Sequence, residues 1–145
     1  MPLTFSKVHV DFDTLLCHLG KTAEEANAKI DAFLLENPNI NRRKFHFELS
    51  VKQGGIEHIT YVVYAVVPTG TTVTKPLQIV TLKRNTFLCC ELSKQEYDNL
   101  FKTDVFQNEL SAYLKAHLIK PDYSSVFVLL EEKGDRIVAY IPYKE

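Results

Sequence analysis

The sequence predicts an α+β fold: a duplicated β-α-β-β unit whose two antiparallel sheets pack as a pseudo-twofold sandwich or open barrel, with the helices outside. Three observations predict it. Segments of strand and helix periodicity follow the same order in residues 1–67 and 76–145. A Thr or Ser with a Glu three positions on opens the helical stretch of each half, at Thr22/Glu25 and Ser93/Glu96. Short residue matches accompany the outline: Thr14-Leu15-Leu16-Cys17 against Thr86-Phe87-Leu88-Cys89, and a turn at Gly54 against one at Gly134. The 145 residues fit one domain, with 68–75 (PTGTTVTK) as the linker between its halves.

The elements follow in order. Leu3 to Val10 alternates as a half-buried strand does, and Thr14 to Leu19 extends it past a bulge near Asp11 to Asp13. Thr22 caps a helix with Ala23, Ala26, Ile30, Phe33 and Leu34 on one face, and Asn37-Pro38 ends it. Phe45, Phe47, Leu49 and Val51 alternate strictly in a strand over 44–52. Gln53-Gly54-Gly55 turns it into the long return strand 56–67, apolar on both faces after Ile59. Pro76 to Leu82 starts the pattern again, with Thr86 to Leu92 as its continuation. Tyr97, Leu100, Phe101, Phe106, Leu110, Tyr113, Leu114 and His117 then mark a helical stretch with a break at Thr103-Asp104. Pro121 closes it, and strands over 125–132 and 136–143 flank a turn at Lys133-Gly134-Asp135.

Composition excludes several classes. Seventeen basic and eighteen acidic residues give a net charge of -1, which argues against a nucleic-acid footprint. No apolar run reaches the roughly 18 residues of a membrane span, so no membrane partner is expected. The opening MPLTFSKVHVDFD lacks the regions of a signal peptide, and three cysteines are an odd count. A cytoplasmic protein with reduced thiols is the expectation.

The doubled β-α-β-β and the ending Arg136-Ile-Val-Ala-Tyr-Ile-Pro-Tyr143 resemble the GyrI-like family, the effector-binding domain of bacterial multidrug-sensing regulators, over essentially the whole chain. The outline is shared with uncharacterised families of small Gram-positive bacterial proteins. The GyrI-like resemblance implies a cleft between the halves that takes flat, apolar, often cationic molecules. Some free-standing members bind DNA gyrase or hydrolyse cyclopropane-containing toxins. Cation-sensing members place a Glu beside an aromatic on the strand that begins the second hairpin. Here the comparable stretch, Tyr123 to Phe127, has no carboxylate until Glu131. The chain has no Trp, unlike the toxin-hydrolysing members, and no helix-turn-helix reader, so the resemblance implies a stand-alone domain.

Residue chemistry narrows the candidates. Cys17-His18 and Cys89-Cys90 are adjacent pairs that point to opposite faces of a strand and chelate poorly, so the cysteines read as core residues and no metal site is expected. His9, His18, His46, His58 and His117 form no HExxH or HxH pattern; His46 and His58, either side of the Gly54 turn, read as a surface pair. Glu91 stands inside the apolar run FLCCEL, either buried as an acid or placed beside the positive start of the second helix. Glu131 and Glu132, beside a turn, read as exposed. Seven Tyr and nine Phe, many of them on strands, suggest a cleft with a wet end, although Tyr61 and Tyr64 face opposite sides of one strand.

The expected function is a non-enzymatic domain that binds drug-like, hydrophobic or cationic molecules through Phe47, Tyr61, Tyr64, Phe87, Glu91, Phe127 and Tyr140, without cofactor. The alternatives are a protein-interaction module (an accessory, chaperone or immunity-type partner) and a hydrolase of reactive small molecules with Glu91 as acid/base. A monomer or homodimer is expected.

Overall fold

The computed structural model describes residues 3–101 and 103–144, without the side chain of Phe101. The protein is α+β, and the chain divides into two compact units. One is continuous, Phe12–Lys83; the other is composite, joining the residues up to Asp11 with those from Arg84 onward.

In the continuous unit, β2 (Thr14–Gly20) leads into α1 (Ala23–Glu36), then the hairpin β3 (Lys44–Gln53) and β4 (Ile56–Val66), then β5 (Gln78–Thr81). The sheet order is β3-β4-β2-β5, every pair antiparallel. Gly54 and Gly55, at φ 61° and 79°, make the two-residue hairpin connection that needs positive φ at both positions. The Thr22 hydroxyl accepts the Glu25 N–H at 3.1 Å, and Glu24 and Glu25 sit in the first turn, where the helix dipole favours acids. Ala26, Ile30 and Leu34, four residues apart, are buried against Leu16, Val63, Ala65 and Val67. Ala23, in the first turn, is exposed. Lys44 ties β3 to the helix by donating to Asn27 Oδ1 (2.7 Å) and Asp31 Oδ1 (2.8 Å).

The composite unit repeats that plan. Strand β1 (Ser6–His9) belongs to it, with β6 (Thr86–Ser93), a helical stretch, β7 (Lys120–Pro121), and the hairpin β8 (Leu129–Lys133) and β9 (Arg136–Lys144). The order is β1-β6-β9-β8, with β7 also on β9. The Ser93/Glu96 capping box is complete: Ser93 N–H donates to Glu96 Oε1 (2.8 Å) and Glu96 N–H to Ser93 Oγ (3.1 Å). It opens α2 (Lys94–Glu96), which runs on as a π-helical turn, Tyr97–Phe101. Thr103 then caps α3 (Asp104–Ala116), confirming the break, and α3 buries Phe106, Leu110 and Leu114. Phe5 meets Phe106 and Tyr113 at ring-centroid distances of 6.1 and 5.2 Å.

Each unit is thus a hairpin whose second strand pairs with the strand before the helix, which pairs in turn with an outer strand. That outer strand is β5 in one unit and β1 in the other. Here the structure corrects the sequence reading. Residues 14–20 do not continue 3–10 past a bulge, and 86–93 do not continue 76–82: β1 pairs with β6, and β5 with β2. The units therefore do not coincide with 1–67 and 76–145; residues 68–75 lie within the continuous unit. Thr69 in that stretch donates to Asp13 Oδ1 at 2.6 Å, a bond that holds the Asp13 carboxyl below its ordinary range. The strand expected over 125–132 begins only at Leu129; Val126 and Val128 alternate because they are buried, not because they join a ladder. His46 lies opposite Val63 and His58 opposite Val51, on opposite faces of the hairpin, so they form no pair.

Candidate functional site

In the composite unit, one sheet face can be read across β8, β9 and β6 in rows. Lys133, Arg136 and Ser93 form the outermost; Glu131, Val138 and Glu91 the next; Leu129, Tyr140 and Cys89 the third, with Pro142 and Phe87 beyond. Exposure falls along this sequence. Glu91 is 55% exposed in its side chain and accepts from Arg136 Nε at 2.6 Å. Glu131 is 8% exposed. Its Oε1 accepts from the Tyr140 hydroxyl at 3.2 Å and lies 3.7 Å from Lys133 Nζ, whose side chain is largely in solvent. Phe87, fully buried, sets its ring edge-on to Tyr140 at 6.3 Å.

This corrects one expectation and decides between two others. Glu131 is a buried carboxylate, not an exposed turn residue; Glu91 is exposed, which leaves its place beside the start of the second helix and excludes the buried acid. The reading failed because proximity to a turn measures distance along the chain. Glu131 has the strand parity of Leu129, whose side chain is buried. Parity alone could not have singled it out, because Leu130 is buried on the other face as well and Glu132, which shares that face, is exposed.

The seven expected site residues are distributed over both units. Phe87, Glu91 and Tyr140 share the face just described. Phe127 precedes β8, is partly exposed and touches Tyr123 at 6.5 Å. In the continuous unit, Phe47 and Tyr64 share one face of the sheet, whereas Tyr61 points to the face that packs on α1. The two units match in register. Cys17 lies opposite Tyr64, itself opposite Phe45, as Cys89 lies opposite Tyr140, itself opposite Leu129. One row further out, Phe47, Val62 and Leu19 correspond to Glu131, Val138 and Glu91. Two carboxylates thus stand in the composite unit where the continuous unit has phenylalanine and leucine.

Cys17 and Cys90 are core residues, and Cys89 is half-buried. Burial pushes the Cys17 thiol up to about 11 and that of Cys90 to about 12. Cys89 is also raised, first by burial and then by Glu91 and Glu131. Only the thiolate attacks. Near pH 8, Ellman's reagent is therefore expected to leave Cys17 and Cys90 unreacted in the folded protein and to titrate all three thiols only in denaturant. Fast native reaction at Cys17 or Cys90 would contradict the burial. Among the described residues, no group of three or more His, Cys, Asp or Glu could hold a metal ion.

No protein-family model matches the chain, and no curated protein matches it. Among solved structures, it is similar to a hydrolase from Listeria innocua, with a TM-score of 0.59 and 10% sequence identity over 97% of this chain and 91% of that one. At that identity, the likeness establishes a shared fold and nothing about activity.

Proposed function

We propose that this protein binds small apolar cations, with Glu131 as the counter-charge and Tyr140 and Phe87 as the aromatic surroundings. The observation that carries this reading is Glu131 itself, a carboxylate at 8% exposure that accepts from the Tyr140 hydroxyl, at the border where Lys133 (3.7 Å) and Arg136 give way to Val138, Leu129 and Phe87. Removing a charge from water is costly, and a cationic ligand that brings its own apolar surface offsets that cost through Coulomb attraction and burial. Aromatic rings add cation–π attraction. The resemblance to the GyrI-like family supports the same reading. Its cation-sensing members carry a Glu beside an aromatic; here the comparable stretch, Tyr123 to Phe127, has no carboxylate, and Glu131, beside Tyr140, stands four residues beyond it.

Titration with tetraphenylphosphonium tests it, followed by calorimetry and thermal shift. Saturable binding is expected, and Glu131→Gln should weaken it by about tenfold to a hundredfold, the range for a lost charged partner. Glu91→Gln should change it little, since Glu91 is engaged by Arg136 in solvent. No saturation, or equal binding by the Glu131→Gln variant, would refute the reading.

A hydrolase is the second reading. The fold is shared with a protein described as a hydrolase, and a buried carboxylate hydrogen-bonded to a tyrosine is a workable acid/base pair. In that reading the acid is Glu131 rather than Glu91.

A further inference from the structure

The turn that ends α3 is unusual in what it presents. The Ile119 N–H donates to the Leu114 carbonyl (3.1 Å) and the Leu118 N–H to that of Lys115 (3.4 Å). This is the Schellman motif, and Leu118 occupies its left-handed position at φ 55°. Glycine is the usual residue there because a Cβ is strained. The contact that normally accompanies the motif is made by Ile119 and Leu114, both buried. Leu118 takes no part in it: it is 89% exposed, more than any other large apolar residue described. The backbone thus carries strain to hold an apolar side chain out in water.

Its surroundings are basic. Lys115, His117 and Lys120 are all exposed, and Lys120 lies directly opposite Lys144 where β7 pairs with β9, an arrangement of like charges that is unfavourable in isolation. Lys7 reaches over the ring of Tyr143, the neighbour of Lys144, at 5.7 Å. Asp122, the neighbouring carboxylate, is bound by Arg84 at 2.8 Å and lies within the field of Lys144 as well.

We propose that this end of the composite unit attaches reversibly to anionic lipid surfaces, with Leu118 entering the acyl boundary and Lys115, Lys120 and Lys144 meeting the headgroups. A single protruding apolar side chain, with exposed lysines three residues before it and two after it, suits a fluid, laterally continuous negative surface. Attachment of this kind differs from spanning, and no described helix is long and apolar enough to cross a membrane. Each lysine near such a surface contributes about fivefold to partitioning, and one inserted leucine side chain about tenfold.

Sedimentation with phosphatidylcholine vesicles, with and without about 30% phosphatidylserine, tests the proposal. The wild-type chain should partition onto the anionic vesicles and be released by ~0.5 M salt. Leu118→Gly should lose about tenfold in partitioning while melting at a higher temperature, because glycine relieves the left-handed strain at φ 55°. That rise separates lost binding from lost folding. The double variant Lys120→Glu/Lys144→Glu should lose the preference for anionic vesicles. Equal partitioning of wild type onto both vesicle types, or wild-type partitioning by Leu118→Gly, would overturn the proposal. A Leu118→Gly variant that does not melt higher would remove the strain on which it stands.

Discussion

Replacing Ile30 with alanine is expected to destabilise the protein by about 2–5 kcal/mol, the range for deleting a fully enclosed branched side chain. Ile30 has no exposed surface and sits midway along α1 between Ala26 and Leu34, facing Leu16, Val63 and Ala65 of the sheet. It links the helix to two strands at once. The cost therefore includes the transfer of its methyl groups and the cavity left between rigid elements. Leu35, the next apolar residue but one on from Phe33, is 69% exposed on the same helix. Leu35→Ala should change stability by no more than about 0.5 kcal/mol. Urea unfolding of the two variants checks the contrast. Similar midpoints for both would mean that α1 does not pack as described.

Gly20→Ala is expected to cost about 1–3 kcal/mol although it adds only one methyl group. A Cβ at Gly20 would lie 2.5 Å from the Ala26 backbone nitrogen and 3.0 Å from its Cα. These are backbone atoms of the first turns of α1, and the Ala26 N–H is already committed to the Thr22 carbonyl at 3.0 Å. The clash cannot be relieved by rotating a side chain, so the helix must lift from the end of β2, taking Ala26 out of its seat against the sheet. Gly134 provides the comparison. It needs glycine for its φ of 65°, but a Cβ there meets nothing within 4 Å. Asparagine tolerates that backbone region, so Gly134→Asn should cost less than Gly20→Ala. The order of the two unfolding midpoints decides whether close approach or backbone angle dominates.

Much of the fold was legible because its signals are local. Thr22 and Ser93 cap helices where the Thr/Glu and Ser/Glu spacings placed them, and Thr103 breaks the second helical stretch where expected. The glycine pair at 54–55 closes a hairpin whose ten-residue register follows the alternation of Phe45, Phe47 and Leu49. Capping, turn formation and face alternation depend on neighbours within a few residues, and a linear string carries that information. The candidate site was less legible. Phe87 and Tyr140 stood among seven candidates with nothing to say that their rings meet, and Tyr61 was separated from Tyr64 by parity alone. Glu131 was set aside because it stands two residues from a turn.

By itself, the sequence determined the α+β character, the repeated order of elements, the helix starts and the pairing of each hairpin; the end of the second helical stretch, expected at Pro121, falls at Ala116, and Pro121 belongs to β7. Only the tertiary structure decided which strand borders which across long stretches of chain. It gave β1 to β6 and β5 to β2, and so moved the division of the chain from 68–75 to the ends of Phe12–Lys83. It also decided which of two similar carboxylates is enclosed. Alternation tells which side of a sheet a residue faces, but burial depends on what lies against that side. Glu91 meets Arg136 in solvent, whereas Glu131 meets the hydroxyl of Tyr140 out of it.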